Sequence, residues 1–181
     1  LSLTSVLASK ENNVIGIDVD VEKCKKIRSG IAPFFEPDLE KMLRIGLKKK
    51  LIISDDFSLV KDCDIIFVAV GTPQKSNGAI ELSMIKTAVT SIGRVLAKSK
   101  KNQIVLIKST VTPGTMQNVI LPILEKRSCK KAGKEFGLIS NPEFLQESSA
   151  IRDTKFPHVI VLGGYQTKFM KKAKSFFSKL H

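Results

Sequence analysis

The stretch NNVIGIDVD, residues 12–20, ends a short apolar segment in two acids and decides how the rest of the chain is interpreted. Val14 to Ile17 predict a buried strand, and Asp18 and Asp20 follow it directly. In a dinucleotide-binding fold, such a strand lies about twenty residues beyond a glycine-rich turn, and its terminal acid binds a ribose. Only 17 residues precede Asp18, so we expect the first strand and its glycine loop to be missing from this chain.

The first ten residues carry an apolar stripe with helical spacing, formed by Leu3, Val6 and Leu7. This helix fits directly behind a glycine loop, whose third glycine normally opens it. Without the first strand, two interior strands lose a neighbour and the backbone donors for a pyrophosphate vanish. We therefore expect weak or absent cofactor binding by these residues alone. A fold unrelated to dinucleotide binding, with this helix as its first element, is the alternative.

Apolar strand patterns and helical patterns alternate along the chain. Strands are predicted at 14–18, 51–54, 65–70, 103–110, 136–140 and 158–164, and helices at 1–10, 21–29, 38–49, 82–96, 116–126 and 166–180. Uniformly apolar strands between helices are typical of a parallel sheet that is covered on both faces. The fold class predicted is α/β: a Rossmann-like, doubly wound parallel sheet with right-handed crossovers.

Small, hydroxyl and acidic residues recur where these predicted strands end. They are Asp18 and Asp20, residues 71–73, Ser109 and Thr110, and residues 141–143. Ligands of such sheets bind beyond the carboxyl ends of the strands. The sequence therefore predicts a nucleotide along this edge.

Composition excludes several classes of protein. No apolar run approaches the roughly 20 residues of a membrane span, and we expect a cytoplasmic protein with no membrane segment. The three cysteines and two histidines have no zinc spacing, so no metal site is predicted. The net charge of +13 raises nucleic-acid binding as an alternative. Aromatic residues, at 6%, do not alternate with basic ones, so a solvated lysine-rich surface that favours anionic ligands is the simpler interpretation.

Five motifs occur in order at the expected strand ends: GIDVDVEKC, APFFEPDLEKML, VAVGTP, KSTVTPGT and ISNPEFLQESSAIRD. Together they resemble the N-terminal NAD-binding domain of the UDP-glucose 6-dehydrogenase family, which includes GDP-mannose and UDP-N-acetylmannosamine dehydrogenases. The resemblance covers nearly the whole chain. It implies one partial NAD-binding domain over residues 1–181, with the catalytic-cysteine and C-terminal domains absent.

The resemblance also implies a reaction. The family oxidises the C6 alcohol of a nucleotide sugar twice with two NAD+, through a thiohemiacetal and a thioester on a cysteine of the second domain. None of Cys24, Cys63 and Cys129 has the glycine-rich context of that cysteine, so we expect this chain alone to be inactive. The KSTV form favours UDP-glucose over UDP-N-acetylmannosamine as substrate, and both GDP-mannose and UDP-N-acetylmannosamine stay alternatives. The complete enzyme is expected to be a homo-oligomer, and a non-catalytic remnant is the rival interpretation.

Four residues match cofactor contacts of the family. Asp18 matches the ribose-binding acid and favours NAD over NADP, although a helix cap is an alternative role for which Asp20 is better placed. Lys23 matches a lysine near the cofactor, or is an exposed helix lysine. Thr72 matches a contact at a strand end, where a turn role is the alternative. Thr110 is expected where nicotinamide and substrate meet, and its hydroxyl can donate and accept.

The segment after the fifth predicted strand matches the substrate loop. Glu147 matches the glutamate that acts on the hydrolytic water and approaches the cofactor, and a raised pKa would suit a general base. Glu143 is its neighbouring acid, or a loop acid paired with a lysine. Phe144 and Leu145 would line the sugar pocket.

Three positions depart from the family pattern and weaken the match of the substrate loop. Gln146 stands for an arginine, Ser148 for a glycine, and Val159 for another arginine. If position 148 needs a positive φ, a serine is strained there.

Overall fold

The computed structural model describes residues 1–10, 12–146, 148–164 and 167–180 and contains two parallel β-sheets. The strands are β1 Val14–Ile17, β2 Leu51–Ser54, β3 Ile65–Val68, β4 Ile104–Ile107 and β5 Gly137–Ser140. The helices are α1 Ser2–Ser9, α2 Val21–Arg28, α3 Leu39–Lys49, α4 Ser83–Lys98, α5 Leu121–Ser128, α6 Ala150–Lys155 and α7 Thr167–Leu180. Phe57–Asp62 forms a 3-10 helix and Met116–Ile120 a π-helix. The predicted α/β class with parallel strands is confirmed, but the strands form two sheets and not the single sheet that was expected.

The chain divides into two compact units. Unit 1 consists of Leu1–Phe57, Phe144–Val159 and Phe177–His181, and unit 2 of Ser58–Glu143 and Ile160–Phe176. Each unit has its own sheet, β1–β2 in unit 1 and β3–β4–β5 in unit 2. Each sheet therefore positions the functional residues of its own unit.

In unit 1, β1 and β2 run in register from Val14 opposite Leu51 to Ile17 opposite Ser54. Helices α1, α2 and α3 cover this pair with a buried apolar cluster. Its members are Ala8, Cys24, Ile27, Leu43, Leu51 and Ile53. Apolar burial of this kind is the main favourable contribution to folding, and here it fixes the carboxyl end of β1.

A second cluster in unit 1 ties α6 to the start of the chain. Ile151 of α6 packs against Val6, Leu39 and Met42. The buried carboxylate of Glu36 also accepts a hydrogen bond from the Ile151 backbone N–H at 3.2 Å. No helix was predicted over Ala150–Lys155, and these contacts explain why α6 forms there.

In unit 2, β4 is the middle strand of the sheet and all four of its residues are buried. Ile65 of β3 pairs with Ile104, and Ile104 pairs with Gly137 of β5. Helices α4 and α5 pack so closely at Gly93 that a Cβ at this position would lie 2.6 Å from the Cβ of Arg127. The continuous apolar run predicted a strand buried on both faces, and β4 has that environment.

The helix predicted over 116–126 is present but begins with a wide π-turn. The N–H of Leu121 donates to the carbonyl of Met116, five residues back. Pro122 stands next and has no N–H to offer the carbonyl of Asn118, so regular α-helical bonding is interrupted there. This proline accounts for the change from π to α geometry.

The strand predicted at 158–164 is wrong. The segment makes one antiparallel bridge, in which Gly163 and Ser140 exchange backbone hydrogen bonds of 2.8 Å. Val159 and Val161 are 52% and 40% exposed. An apolar run alone does not distinguish a buried strand from an extended segment that touches a sheet at one point, and here the run is extended without a ladder.

Candidate functional site

Asp18 lies at the carboxyl end of β1, where the backbone turns into α2. Its N–H continues the ladder by donating to the Ser54 carbonyl at 3.1 Å. Its carboxylate accepts from the Asp20 N–H at 3.1 Å and contacts the Lys23 ammonium. Asp20 is the N-cap of α2, because its side chain accepts from the Lys23 N–H at 2.9 Å. Asp18 is therefore not needed as a helix cap.

The neighbours of Asp18 stabilise the ionised form of its carboxyl group. Partial burial raises the pKa of this carboxyl, but the Lys23 ammonium and the Asp20 N–H lower it by more, so its pKa lies below its ordinary value. The carboxylate is thus ionised near neutral pH, and its side chain is 31% exposed. An ionised, accessible carboxylate has lone pairs left to accept from the two hydroxyls of a ribose. This end of β1 therefore presents an ionised carboxylate that is open to hydrogen-bond donors.

In unit 2, the ends of β3 and β4 are joined by hydrogen bonds. The hydroxyl of Thr72 donates to the carbonyl of Thr110 at 2.9 Å. In the two residues before Thr110, the Ser109 hydroxyl donates to the Val70 carbonyl at 2.7 Å and the Lys108 N–H donates to the Val68 carbonyl at 2.8 Å. These bonds bring the two predicted threonines together at the carboxyl edge of the sheet, and Thr110 is exposed there.

Asn141 continues this edge at the end of β5. Its N–H donates to the Ile107 carbonyl at 2.8 Å and its side-chain amide to the Val161 carbonyl at 2.9 Å. The residue is 2% exposed, so the asparagine anchors the loop that follows. Pro142 and Glu143 then leave the sheet with the acid exposed to solvent.

The charge of Glu143 acts on a lysine, Lys108, that the sequence pattern did not mark as part of the site. Burial lowers the pKa of the Lys108 ammonium, and the nearby Glu143 carboxylate partly offsets this effect. Lys108 is the first residue after β4 and precedes Ser109 and Thr110. Its place at a strand end was a signal available in the sequence. Glu143 therefore has the lysine neighbour expected for a loop acid, and its role in binding substrate stays a prediction.

The predicted substrate loop continues in unit 1. Phe144 is 57% exposed, and Leu145 is half-buried. Asp153 of α6 orders the loop by accepting from the Gln146 N–H at 3.1 Å and the Ser149 hydroxyl at 2.6 Å. These bonds hold the pKa of Asp153 below its ordinary value. Asp153 carries no signal in the sequence that would mark it as part of this loop's structure.

Ser148 has a φ of +65°, in the left-handed region that favours glycine. The strain expected for a serine at this glycine position is confirmed. Glu147, the predicted general base, lies outside the described residues. Its role in water activation and cofactor contact therefore stays a prediction.

The structure thus brings Asp18 and Lys23 together in unit 1, and Thr72 and Thr110 together in unit 2. Across the described residues, no group of three or more histidines, cysteines, aspartates or glutamates is arranged to hold a metal ion. Within the same ranges, no helix has the length and apolar character needed to cross a membrane.

Comparison with known proteins identifies the family. Residues 1–181 match the model of the UDP-glucose/GDP-mannose dehydrogenase family, NAD binding domain. GDP-mannose 6-dehydrogenase of Pseudomonas aeruginosa is 42% identical over 159 residues, which cover 87% of this chain and 36% of that protein. UDP-glucose 6-dehydrogenase of Haloferax volcanii is 32% identical over 179 residues, covering 99% and 42%. The chain therefore spans about 40% of the length of these relatives.

The fold agrees with this assignment. The crystal structure of a ternary complex of the Pseudomonas aeruginosa GDP-mannose dehydrogenase superposes with a TM-score of 0.95 at 37% identity. The match covers 98% of this chain and 41% of that one. The Rossmann-like class expected from the strand pattern is thereby confirmed, and the chain belongs to the UDP-glucose/GDP-mannose dehydrogenase family as an NAD-binding domain of these nucleotide-sugar dehydrogenases.

Proposed function

We propose that this chain binds NAD and one side of a nucleotide sugar in an enzyme that oxidises the sugar C6 alcohol to a carboxylate. The observation that carries the proposal is the polar chemistry at the carboxyl ends of parallel strands, with Asp18 after β1 and the Thr72–Thr110 pair after β3 and β4. Ligands of open parallel sheets bind at these ends. NAD+, when bound, supplies the hydride acceptor for both oxidation steps.

The cofactor side of the proposal rests on three residues. Asp18 accepts from the ribose hydroxyls and disfavours a 2′-phosphate. Lys23 holds the Asp18 carboxylate in place through its ammonium. Thr72 contacts the cofactor from the end of β3 while its hydroxyl bond to Thr110 fixes the loop.

The substrate side rests on Thr110 and the loop that follows β5. The Thr110 hydroxyl orders the substrate alcohol or a water molecule, since it can donate and accept. We assign Glu147 the general-base role towards that water and contact with the cofactor, and Glu143, Phe144 and Leu145 the contact with the sugar.

We also propose that these 181 residues do not complete the oxidation alone. The thioester route needs an accessible cysteine beside the reacting carbon. Cys24 is fully buried in the core of unit 1, Cys63 precedes β3, and Cys129 follows α5. Residues before β3 and after α5 lie at the amino edge of the unit 2 sheet, opposite to Thr72 and Thr110.

GDP-mannose is the substrate that we favour over UDP-glucose. The sequence motifs alone pointed to UDP-glucose, but identity to GDP-mannose 6-dehydrogenases reaches 42%, against 32–33% for UDP-glucose 6-dehydrogenases. The decisive assay uses a complete protein that carries this chain and measures NADH formed from GDP-mannose, UDP-glucose and UDP-N-acetylmannosamine. A higher kcat/KM for UDP-glucose would reverse this preference.

The cofactor part is tested on the chain itself. Saturation-transfer NMR with NAD+ detects weak binding, and we expect contacts to the adenosine ribose that disappear in Asp18→Ala. Asp38→Asn, at an exposed aspartate elsewhere in unit 1 whose left-handed backbone asparagine tolerates, is the control. NAD+ signals that are equally strong in the wild type and Asp18→Ala would contradict the proposal.

A further inference from the structure

The positive charge of the chain is concentrated in one unit. Unit 2 contains 17 lysines and arginines against 6 aspartates and glutamates, whereas unit 1 contains 13 against 11. Unit 2 therefore contributes +11 of the net charge of +13. Such asymmetry between parts of one protein indicates an anionic partner for the charged part.

Within unit 2, nine lysines gather at the edge of the sheet where β4 and β5 begin. We call this set the lysine edge, and its members are Lys98, Lys100, Lys101, Lys130, Lys131, Lys134, Lys168, Lys171 and Lys172. Eight of the nine are exposed, and Lys130 is half-buried. Thr72 and Thr110 lie at the opposite edge of this sheet, so within unit 2 the set is separate from the proposed site residues.

Contacts within unit 2 join the three groups of lysines into one surface. The ammonium groups of Lys101 and Lys172 lie 3.5 and 3.7 Å from the same carboxylate, that of Asp64. The Lys130 ammonium donates to the Ser99 carbonyl at 2.6 Å, next to Lys98. Phe169, which lies between Lys168 and Lys171 in α7, packs against Gly137 at the start of β5.

Helix stability explains only part of this surface. Lys98 ends α4 and Lys130 follows α5, where a cation is favoured by the helix dipole. Lys168 and Lys171 lie in the first two turns of α7, where the helix dipole disfavours a cation, and the first turn of the described helix holds no acidic residue. Cations kept at an unfavourable helix end point to a role outside the fold.

The chemistry of the surface favours lipid headgroups over nucleic acid. Of the 17 basic residues in unit 2, only Arg94 and Arg127 are arginines, the side chain that reads base edges through paired hydrogen bonds. Among the described residues of unit 2, no aromatic side chain is exposed for base stacking. Lysines spread over several elements instead match a fluid plane of anionic headgroups.

We propose that the lysine edge of unit 2 binds the surface of membranes that contain anionic phospholipids. The interaction is electrostatic and peripheral, with ammonium groups facing headgroup phosphates and no apolar insertion. It leaves the carboxyl edge of the sheet facing away from the lipid. The proposal is independent of the cofactor and sugar assigned above.

Vesicle co-sedimentation of the chain tests the proposal. The probe is vesicles of phosphatidylglycerol and phosphatidylcholine in about equal amounts, with pure phosphatidylcholine as the neutral reference. We expect binding to the anionic vesicles only, weakening steeply as salt rises. Equal binding to both vesicle types, or no binding to the anionic ones at low salt, would overturn it.

Charge-matched variants separate a specific surface from net charge. Glutamine at Lys98, Lys100 and Lys101 should lower vesicle affinity by about 100-fold, since each lysine near an anionic surface contributes about fivefold. Glutamine at Lys168, Lys171 and Lys172 should do the same, which guards against misfolding of either variant. The control places glutamine at Lys48, Lys49 and Lys50 of unit 1, with an expected change within about twofold.

Two further outcomes decide against the lysine edge. An equal loss in the unit 1 control would mean that net charge alone drives binding. Tighter binding to duplex DNA than to the anionic vesicles at the same salt concentration would assign the surface to nucleic acid instead. Circular dichroism of each variant checks that its fold is retained.

Discussion

The side-chain hydroxyl of Thr72 and the backbone carbonyl of Thr110, 38 residues apart in sequence, are joined by a 2.9 Å hydrogen bond that links the loops after β3 and β4. Because the acceptor is a main-chain atom, the Thr110 side chain keeps its own hydroxyl for a ligand. The pair thus combines a structural role for Thr72 with an open chemical role for Thr110.

Replacing Thr72 by valine keeps the shape of the side chain and removes this bond. We expect the free energy of unfolding to fall by about 1 kcal/mol in urea titrations. Thr72→Ser retains the hydroxyl and should restore most of the loss. A valine variant as stable as the wild type would mean that the bond does not hold the two loops together.

The positive φ of Ser148 in the substrate loop predicts a substitution that raises the free energy of unfolding instead of lowering it. Ser148→Gly should stabilise the chain by about 0.5–1 kcal/mol, because glycine adopts a positive φ without the Cβ penalty. Ser148→Ala keeps that penalty and should show no gain. The control Ser29→Gly, at a φ of −80°, should lower stability. Thermal and urea unfolding measure all three variants.

The Asp18–Lys23 pair predicts a defined pH dependence. The folded pKa of Asp18 lies below its ordinary value of 3.8, so the charged carboxylate contributes stability above that pH. The contribution is lost as the pH falls through the folded pKa. Asp18→Asn should therefore be less stable than the wild type at neutral pH, and the difference should shrink in acid.

A Lys23 variant tests whether this lysine is a cause of the lowered Asp18 pKa. In a Lys23→Met background the Asp18→Asn substitution should have a smaller effect at neutral pH, because the cation that lowers the carboxyl pKa is absent. Urea titrations from about pH 2 to pH 7 measure both differences. A gap that widens as the pH falls would contradict the assigned sign.

Two glycines in unit 2 differ in the space around them. A Cβ at Gly137 would lie 2.6 Å from the Cβ and Cγ of Phe169, whereas one at Gly163 would meet the Ser140 Cβ at 3.6 Å. Gly137→Ala should cost about 2–3 kcal/mol of stability through overpacking. Gly163→Ala should change it by under about 0.5 kcal/mol. Similar losses in the two variants would mean that α7 does not pack on β5 as described.

The sequence predicted best where burial alone determines structure. The runs that became β1, β2, β4 and β5 are apolar and bounded by polar residues, and each forms a parallel strand. The run at 158–164 has the same composition but makes one bridge, because pairing depends on partners that composition does not encode. Helix α6 has six residues and depends on tertiary contacts such as the Glu36–Ile151 bond.

The candidate site was predicted where chemistry follows a strand end. Asp18 and Thr110 could be named because small, hydroxyl and acidic residues end successive strands. The electrostatic influence of Glu143 on Lys108, and the hydrogen bonds of Asp153 with Gln146 and Ser149, depend on side-chain directions in the folded loops. Sequence spacing does not supply those directions.

The segmented make-up of unit 1 affects the order of folding. Ile151 packs on Val6, and the Lys10 ammonium donates a hydrogen bond to the Leu180 carbonyl, so α1 and the residue after it depend on partners 145 and 170 residues further along the chain. Closing a loop of that length lowers the conformational entropy of the chain, and this cost arises before the contacts that offset it have formed. Because synthesis runs from the N-terminus, α1 is made before the residues of α6 and α7 that contact it. Unit 1 therefore reaches its final packing only after most of unit 2 has been made.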